Sequence, residues 1–178
     1  MSETRTRARP RHLALALRSA AVLIGVIGAG SSATAGPQPS FDPITFFTGA
    51  TESSGSLKAA FSSAKATHVT GYGAMRGGGQ FVLDQTMTVA GDTKAQTRQW
   101  QLHQISPGHF GGTISDGKGP VTIDVAGNRL LIRYTMINGM KVESVLTIDP
   151  GGRTGHNVST VRKWGMSVAS LSETIAKR

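Results

Sequence analysis

The 178-residue chain contains no cysteine. That excludes a disulfide framework, a thiolate nucleophile, a zinc–thiolate site and a lipid-modified N-terminal cysteine. Charged residues are sparse at 16%, and 23 glycines interrupt the sequence. A coiled coil or helical bundle, rich in Ala, Glu, Lys and Leu, is thereby disfavoured. Acidic residues are the scarcer charge, 10 against 19 basic, for a formal +9. The excess is unevenly placed: Arg5, Arg7, Arg9, Arg11 and Arg18 stand at the N-terminus, and the chain beyond residue 35 holds 14 basic and 9 acidic residues, a net +5. No base-stacking aromatic accompanies those arginines, which removes nucleic-acid binding as their purpose.

What the N-terminus does have is the order of a secretory signal. The basic stretch is followed by an uncharged apolar run, Ala20 to Gly30, and by the small-x-small sequence Ala33-Thr34-Ala35. The run is shorter than the roughly 20 residues that a hydrocarbon core requires. We therefore expect residues 1–35 to be a cleaved signal peptide, 36–45 a flexible lead-in and 46–178 a single domain, exported to the periplasm or cell envelope. Membrane contact is expected only if the apolar segment is kept as an anchor.

Asp42 before Pro43 offers a helix cap and a first helical position, so a short helical turn carrying Phe46 and Phe47 is predicted near the domain start. Beyond Gly49 the period is two. Phe81, Leu83, Met87 and Val89 share one face against Asp84, Thr86 and Thr88. Arg98, Trp100 and Leu102 share another, as do Leu130, Ile132, Tyr134 and Met136, and Val142, Ser144, Leu146 and Ile148. Turn signals such as Ala90-Gly91-Asp92, Ser106-Pro107-Gly108, Gly127-Asn128 and Asn138-Gly139 punctuate these runs. The spacing predicts nine or ten antiparallel strands, near 54–62, 66–74, 79–89, 94–105, 109–115, 119–126, 129–137, 141–148, 153–162 and 166–176. Without intervening helical patterns, this all-β meander does best by closing into an up-and-down, lipocalin-like barrel, which buries the apolar face and leaves no edge. A membrane-spanning barrel is the alternative, and Arg129, Arg133, Lys141 and Glu143 sit badly on its lipid face.

Few motifs carry chemistry. Gly112 to Lys118 has phosphate-loop spacing, but Gly119 replaces the magnesium-binding hydroxyl and a strand follows instead of a helix. His68, His103, His109 and His156 lack metal-ligand spacing, no cofactor motif appears, and no Gly-x-Ser-x-Gly elbow marks a nucleophile. Asn157-Val158-Ser159 fits a glycosylation sequon. Arg98 shares parity with Trp100, and Glu173 with Leu171 and Ile175. If those faces point inward, the two charges should pair or meet a ligand; otherwise both sit in water at a mouth.

The ordered series Phe46-Phe47-x-Gly49-x-Thr51-Glu52, Leu83-Asp84-Gln85, Arg98-x-Trp100, Gly112-x-x-x-Asp116, Gly119-Pro120-Val121, Gly127-Asn128-x-Leu130, Arg133-Tyr134-x-Met136, Asn157 and Lys163-Trp164-Gly165 resembles the bacterial domain-of-unknown-function family numbered 3833. Many of its members look like exported lipoproteins. This chain departs from them in having no cysteine after the signal, and in carrying Leu146-Thr147-Ile148-Asp149 where the family often has Asp-Asp-Trp. The resemblance implies no activity. The residues favour a binding module whose apolar interior holds a lipid or other apolar small molecule, with Arg98, Trp100, Tyr134 and Met136 at the ligand. An enzyme using Asp116, Arg133, Tyr134 and Asn157 as a polar cluster at one rim, or a non-catalytic envelope scaffold with a filled barrel, are the alternatives.

Overall fold

The computed structural model describes residues 41–178. The expected signal peptide at 1–35 and residues 36–40 of the lead-in lie outside the described residues.

A short helix, α1 (Pro43–Phe47), opens the fold. Asp42 caps it, accepting from the Ile44 and Thr45 amides at 3.0 and 3.2 Å, and Pro43 occupies a first-turn position where no amide hydrogen is needed. The helix thus starts within the expected lead-in, and a boundary at residue 46 would cut through it. Ten strands follow: β1 (Gly49–Ala59), β2 (Lys65–Met75), β3 (Phe81–Val89), β4 (Gln96–Ser106), β5 (His109–Ile114), β6 (Val121–Ala126), β7 (Arg129–Thr135), β8 (Lys141–Ile148), β9 (Thr154–Lys163) and β10 (Met166–Lys177). Each pairs antiparallel with the next, and β10 returns to β1 from Thr51↔Lys177 to Ala59↔Ala169, closing an up-and-down barrel with no free edge. β1 starts five residues earlier than the expected 54: the sequence pattern carries the helical turn through Gly49 and begins the strand at 54, whereas Gly49 opens the strand and Thr51 and Ser53 alternate inward as buried polar residues.

The barrel has two distinct ends. The turns after β2, β4, β6 and β8 surround α1, which acts as a plug; the Phe41 amide bonds the Gly127 carbonyl at 3.2 Å and the Lys177 ammonium bonds the Thr45 carbonyl at 2.6 Å. Phe46 packs edge-on against Phe41 and Phe47 at 5.4 and 4.9 Å, over a floor of Phe81, Phe110, Leu130 and Ile148. Burying each such side chain contributes about 1.5–3 kcal/mol. The close seat of the plug requires Gly73 in β2, where a Cβ would lie 2.1 Å from the Phe47 carbonyl oxygen. The turns after β1, β3, β5, β7 and β9 form the opposite end, the mouth.

The outer face carries charged pairs beside an apolar stripe of Leu131, Val145 and Val158. Arg133 bridges Asp124 and Glu143 at 3.2 and 3.3 Å, and His68, His109 and His156 stand beside Glu52, Asp124 and Asp149 respectively. The bulk of the large apolar side chains, including Phe81, Leu83, Trp100, Phe110, Leu130 and Leu146, turn inward.

Candidate functional site

Between the plug and the mouth the barrel encloses a cavity of about 80 Å³. Its plug-side wall is apolar, formed by Leu83, Trp100, Leu102, Ile123, Leu130 and Leu146. Toward the mouth the inward positions turn polar: Gln85, Arg98, Ser144, Asn157, Ser159 and Glu173. Inward parity puts each there, since Gln85 pairs across the ladder with Arg98, Ser144 with Ser159, and Asn157 with Glu173. Gly55 lies opposite Glu173, and a Cβ on it would come within 2.6 Å of the Glu173 Cβ, so the glycine makes room for the carboxylate.

Two hydrogen-bonded groups face the cavity. In the first, Gln85 Oε1 accepts from both Arg98 Nε (2.9 Å) and Trp100 Nε1 (2.8 Å). The Arg98 guanidinium lies 5.7 Å from the Trp100 ring centroid, and Tyr134 meets that ring edge-on at 5.4 Å. In the second, Glu173 accepts from Ser53 Oγ (2.6 Å) and from Asn157 Nδ2 (2.9 Å), while Ser144 and Ser159 share a hydrogen bond at 2.6 Å. A carboxylate only accepts, so the Asn157 amide nitrogen must face it, and Asn157 Oδ1 is left buried with no partner among the described residues. Burial raises the pKa of Tyr134 above its ordinary 10.0; Arg98 opposes the rise, and Asp116 and Glu173 add to it.

Of the residues singled out from sequence, Arg98, Trp100 and Tyr134 come together at the cavity. Met136 does not: β7 ends at Thr135, and Met136 lies in the following turn, bridged to Gly117. The polar rim cluster is not assembled. Arg133 points outward into its ion pairs, Asn157 is inside on β9, and Asp116 lies in the turn after β5, near enough to Tyr134 to act on its charge but apart from the other two. Arg98 and Glu173 both turn inward as their parity requires, but they form no ion pair; each is held by its own neutral partners. The sequon asparagine is buried and bonded to Glu173, so it presents no glycan acceptor. Gln85, Ser53, Ser144 and Ser159 were not foreseen as site residues. Their signal was a polar side chain at inward parity within an otherwise apolar face.

A closed antiparallel barrel with an internal, partly polar cavity places the protein among lipocalin-like barrels. By sequence, the chain belongs to the family described as Protein of unknown function (DUF3833), whose profile matches residues 20–177. No curated protein matches the sequence. Among solved structures it is similar to the S-type phycobiliprotein lyase CPES from Guillardia theta, at 7% identity and a TM-score of 0.61, covering 76% of this chain and 90% of that one. It is also similar to a protein of unknown function from the DUF3598 family of Nostoc punctiforme, at 9% identity and a TM-score of 0.54, covering 79% of this chain and 51% of that one. At these identities the likeness is one of fold.

Proposed function

We propose that the barrel is a binding protein for a small amphipathic molecule, whose apolar part lies against Trp100, Tyr134 and Leu83 and whose polar group reaches Arg98, Glu173 and Asn157. The observation that carries this reading is the state of the inward polar groups: a cation and an anion in one cavity without an ion pair between them, and a buried acceptor, Asn157 Oδ1, without a donor. Buried polar groups are ordinarily satisfied, and a ligand with a donor and an acidic group completes this set. Of the ligands expected from the strand pattern, a lipid or another apolar small molecule, an apolar molecule without a polar group would meet the plug-side wall alone. Ligand sites usually span about 300–1,000 Å³, so a cavity of about 80 Å³ receives one end of a larger molecule, with the rest leaving through the mouth. We also propose that the protein is exported after cleavage behind Ala35, on the order of basic, apolar and small residues before Gly36.

Two measurements test the binding reading. Mass spectrometry of organic extracts from the purified protein should identify a bound amphiphile. With anilinonaphthalene sulfonate as probe, energy transfer from Trp100 in a Trp164→Phe background should report binding, and Arg98→Gln should weaken it at least about tenfold, the worth of a hydrogen bond to a charged group. An empty extract together with no transfer from Trp100 would favour the filled scaffold instead.

A further inference from the structure

Lysines and two fully or largely exposed aromatic turn residues gather at the mouth, whereas at the plug end the basic residues Arg76, Arg129, Arg153, Lys177 and Arg178 share the surface with Asp42, Glu52 and Asp149. Among the described residues, six of the seven lysines stand at the mouth. Lys58 and Lys65 flank the β1–β2 turn, Lys94 lies between β3 and β4, Lys118 between β5 and β6, Lys141 opens β8 and Lys163 ends β9, so every mouth turn carries one. The acidic residues of these turns offset the ring only in part: Asp92 pairs with Lys65 at 2.9 Å, and Asp116 is the other acid, against six lysines.

Within this ring, one sector projects large apolar side chains into water. Trp164 is 85% exposed at the tip of the β9–β10 hairpin, Met166 is exposed beside it, and Phe61 is fully exposed on the β1–β2 turn. The seam between β1 and β10 makes these neighbours, since the Ala60 amide bonds the Val168 carbonyl at 2.8 Å and Met166 pairs with Lys163. Both aromatics occupy left-handed backbone, Phe61 at φ +61° and Trp164 at φ +51°. Trp164-Gly165, with φ +51° and +82°, is a two-residue hairpin loop of the type that prefers Asn-Gly. A bulky residue there costs conformational energy and gains no packing within the barrel. Lys163 Nζ lies 4.9 Å from the Trp164 ring centroid, so an amphipathic ring and a cation are presented at one level.

We infer that the mouth rim docks on the surface of an anionic phospholipid bilayer, with Phe61, Trp164 and Met166 seated at the headgroup–acyl boundary and the lysine ring on the phosphates. Tryptophan prefers that boundary, where one part of the ring is apolar and the other wet, and basic residues add about 1 kcal/mol each near an anionic surface. A second copy of the chain is the poorer occupant, because an isologous contact through this rim would set lysines against lysines. The inference does not depend on the interior binding proposed above, nor on whether residues 1–35 are retained.

Trp164 supplies its own probe. The full chain is mixed with vesicles of phosphatidylcholine containing phosphatidylglycerol, or of phosphatidylcholine alone, and the emission of Trp164→Phe is subtracted from that of the wild type to isolate Trp164. With anionic vesicles this difference emission should shift to the blue and be quenched by brominated acyl chains; with neutral vesicles it should stay as in buffer. Lys58→Gln and Lys163→Gln should each weaken the apparent partition about fivefold, the equivalent of one basic residue at the surface. The inference is overturned if Trp164 stays open to aqueous iodide while the chain sediments with vesicles, since an N-terminal segment then does the binding. It is equally overturned if the blue shift arises without lipid and grows with protein concentration, which would reveal self-association.

Discussion

The two halves of the barrel interior are built from the same alternating strands and do opposite things with them. The plug half is dry: Phe46, Phe81, Phe110, Leu130 and Ile148 fill it, and α1 seals it. The mouth half spends its inward positions on Gln85, Arg98, Ser144, Asn157, Ser159 and Glu173, which pack less area and must be kept hydrogen-bonded. Stability and binding are thus divided along the barrel axis.

The sharpest break of that division is in the floor of the plug half. Phe81→Ala removes a fully buried ring and is expected to lower unfolding free energy by about 3–5 kcal/mol in denaturant titration. An effect below that of a surface change would mean the plug half is not the stabilising one. In the mouth half, Gln85→Ala takes one shared acceptor from Arg98 and Trp100 and should cost about 1–3 kcal/mol, while also weakening probe binding. The Phe81 change, if it leaves the fold populated, should leave Gln85-dependent binding intact. Removal of the helix cap by Asp42→Ala should cost about 1 kcal/mol, read as a lower thermal midpoint with binding unchanged. The smallest effect is on pH dependence. The pKa of Tyr134 is raised in the folded state, so its contribution to stability is full below pH 10.0 and is lost as pH rises from there through the raised value. In a Tyr72→Phe background, where Tyr134 is the remaining tyrosine, phenolate absorbance should appear above its usual range and return to it on unfolding. A normal titration in the folded protein would mean the mouth half is wetter than the geometry indicates.

Most of the fold was legible because period two and turn residues are local signals: the ten strands, their inward faces and the capped helical turn follow from neighbouring residues. The site was legible in part. Parity put Arg98, Trp100 and Tyr134 inside, and the same rule separates Arg133 from Tyr134, since adjacent residues on a strand face opposite sides. The rim cluster grouped them on chemical type and failed for that reason. Gln85 was missed because one amide inside an apolar face reads as noise until its partners on β4 are known. The absent Arg98–Glu173 pair could not be read at all. β1, β2 and β3 separate their strands in the wall, and local acceptors on Gln85 and local donors on Ser53 and Asn157 won both charges.

The seam between β1 and β10 also sets the order in which the chain can fold. Every other strand pairs with its neighbour in sequence, but Ser53 waits for Glu173, 120 residues away. Closing a loop of that length costs about 3 kcal/mol more entropy than forming a tight hairpin. Hairpins therefore come early and closure last, with slow kinetics typical of non-local β pairing. Until β10 is released from whatever machine makes or moves the chain, β1 and β9 remain open edges, and this interval is when the protein most needs a chaperone.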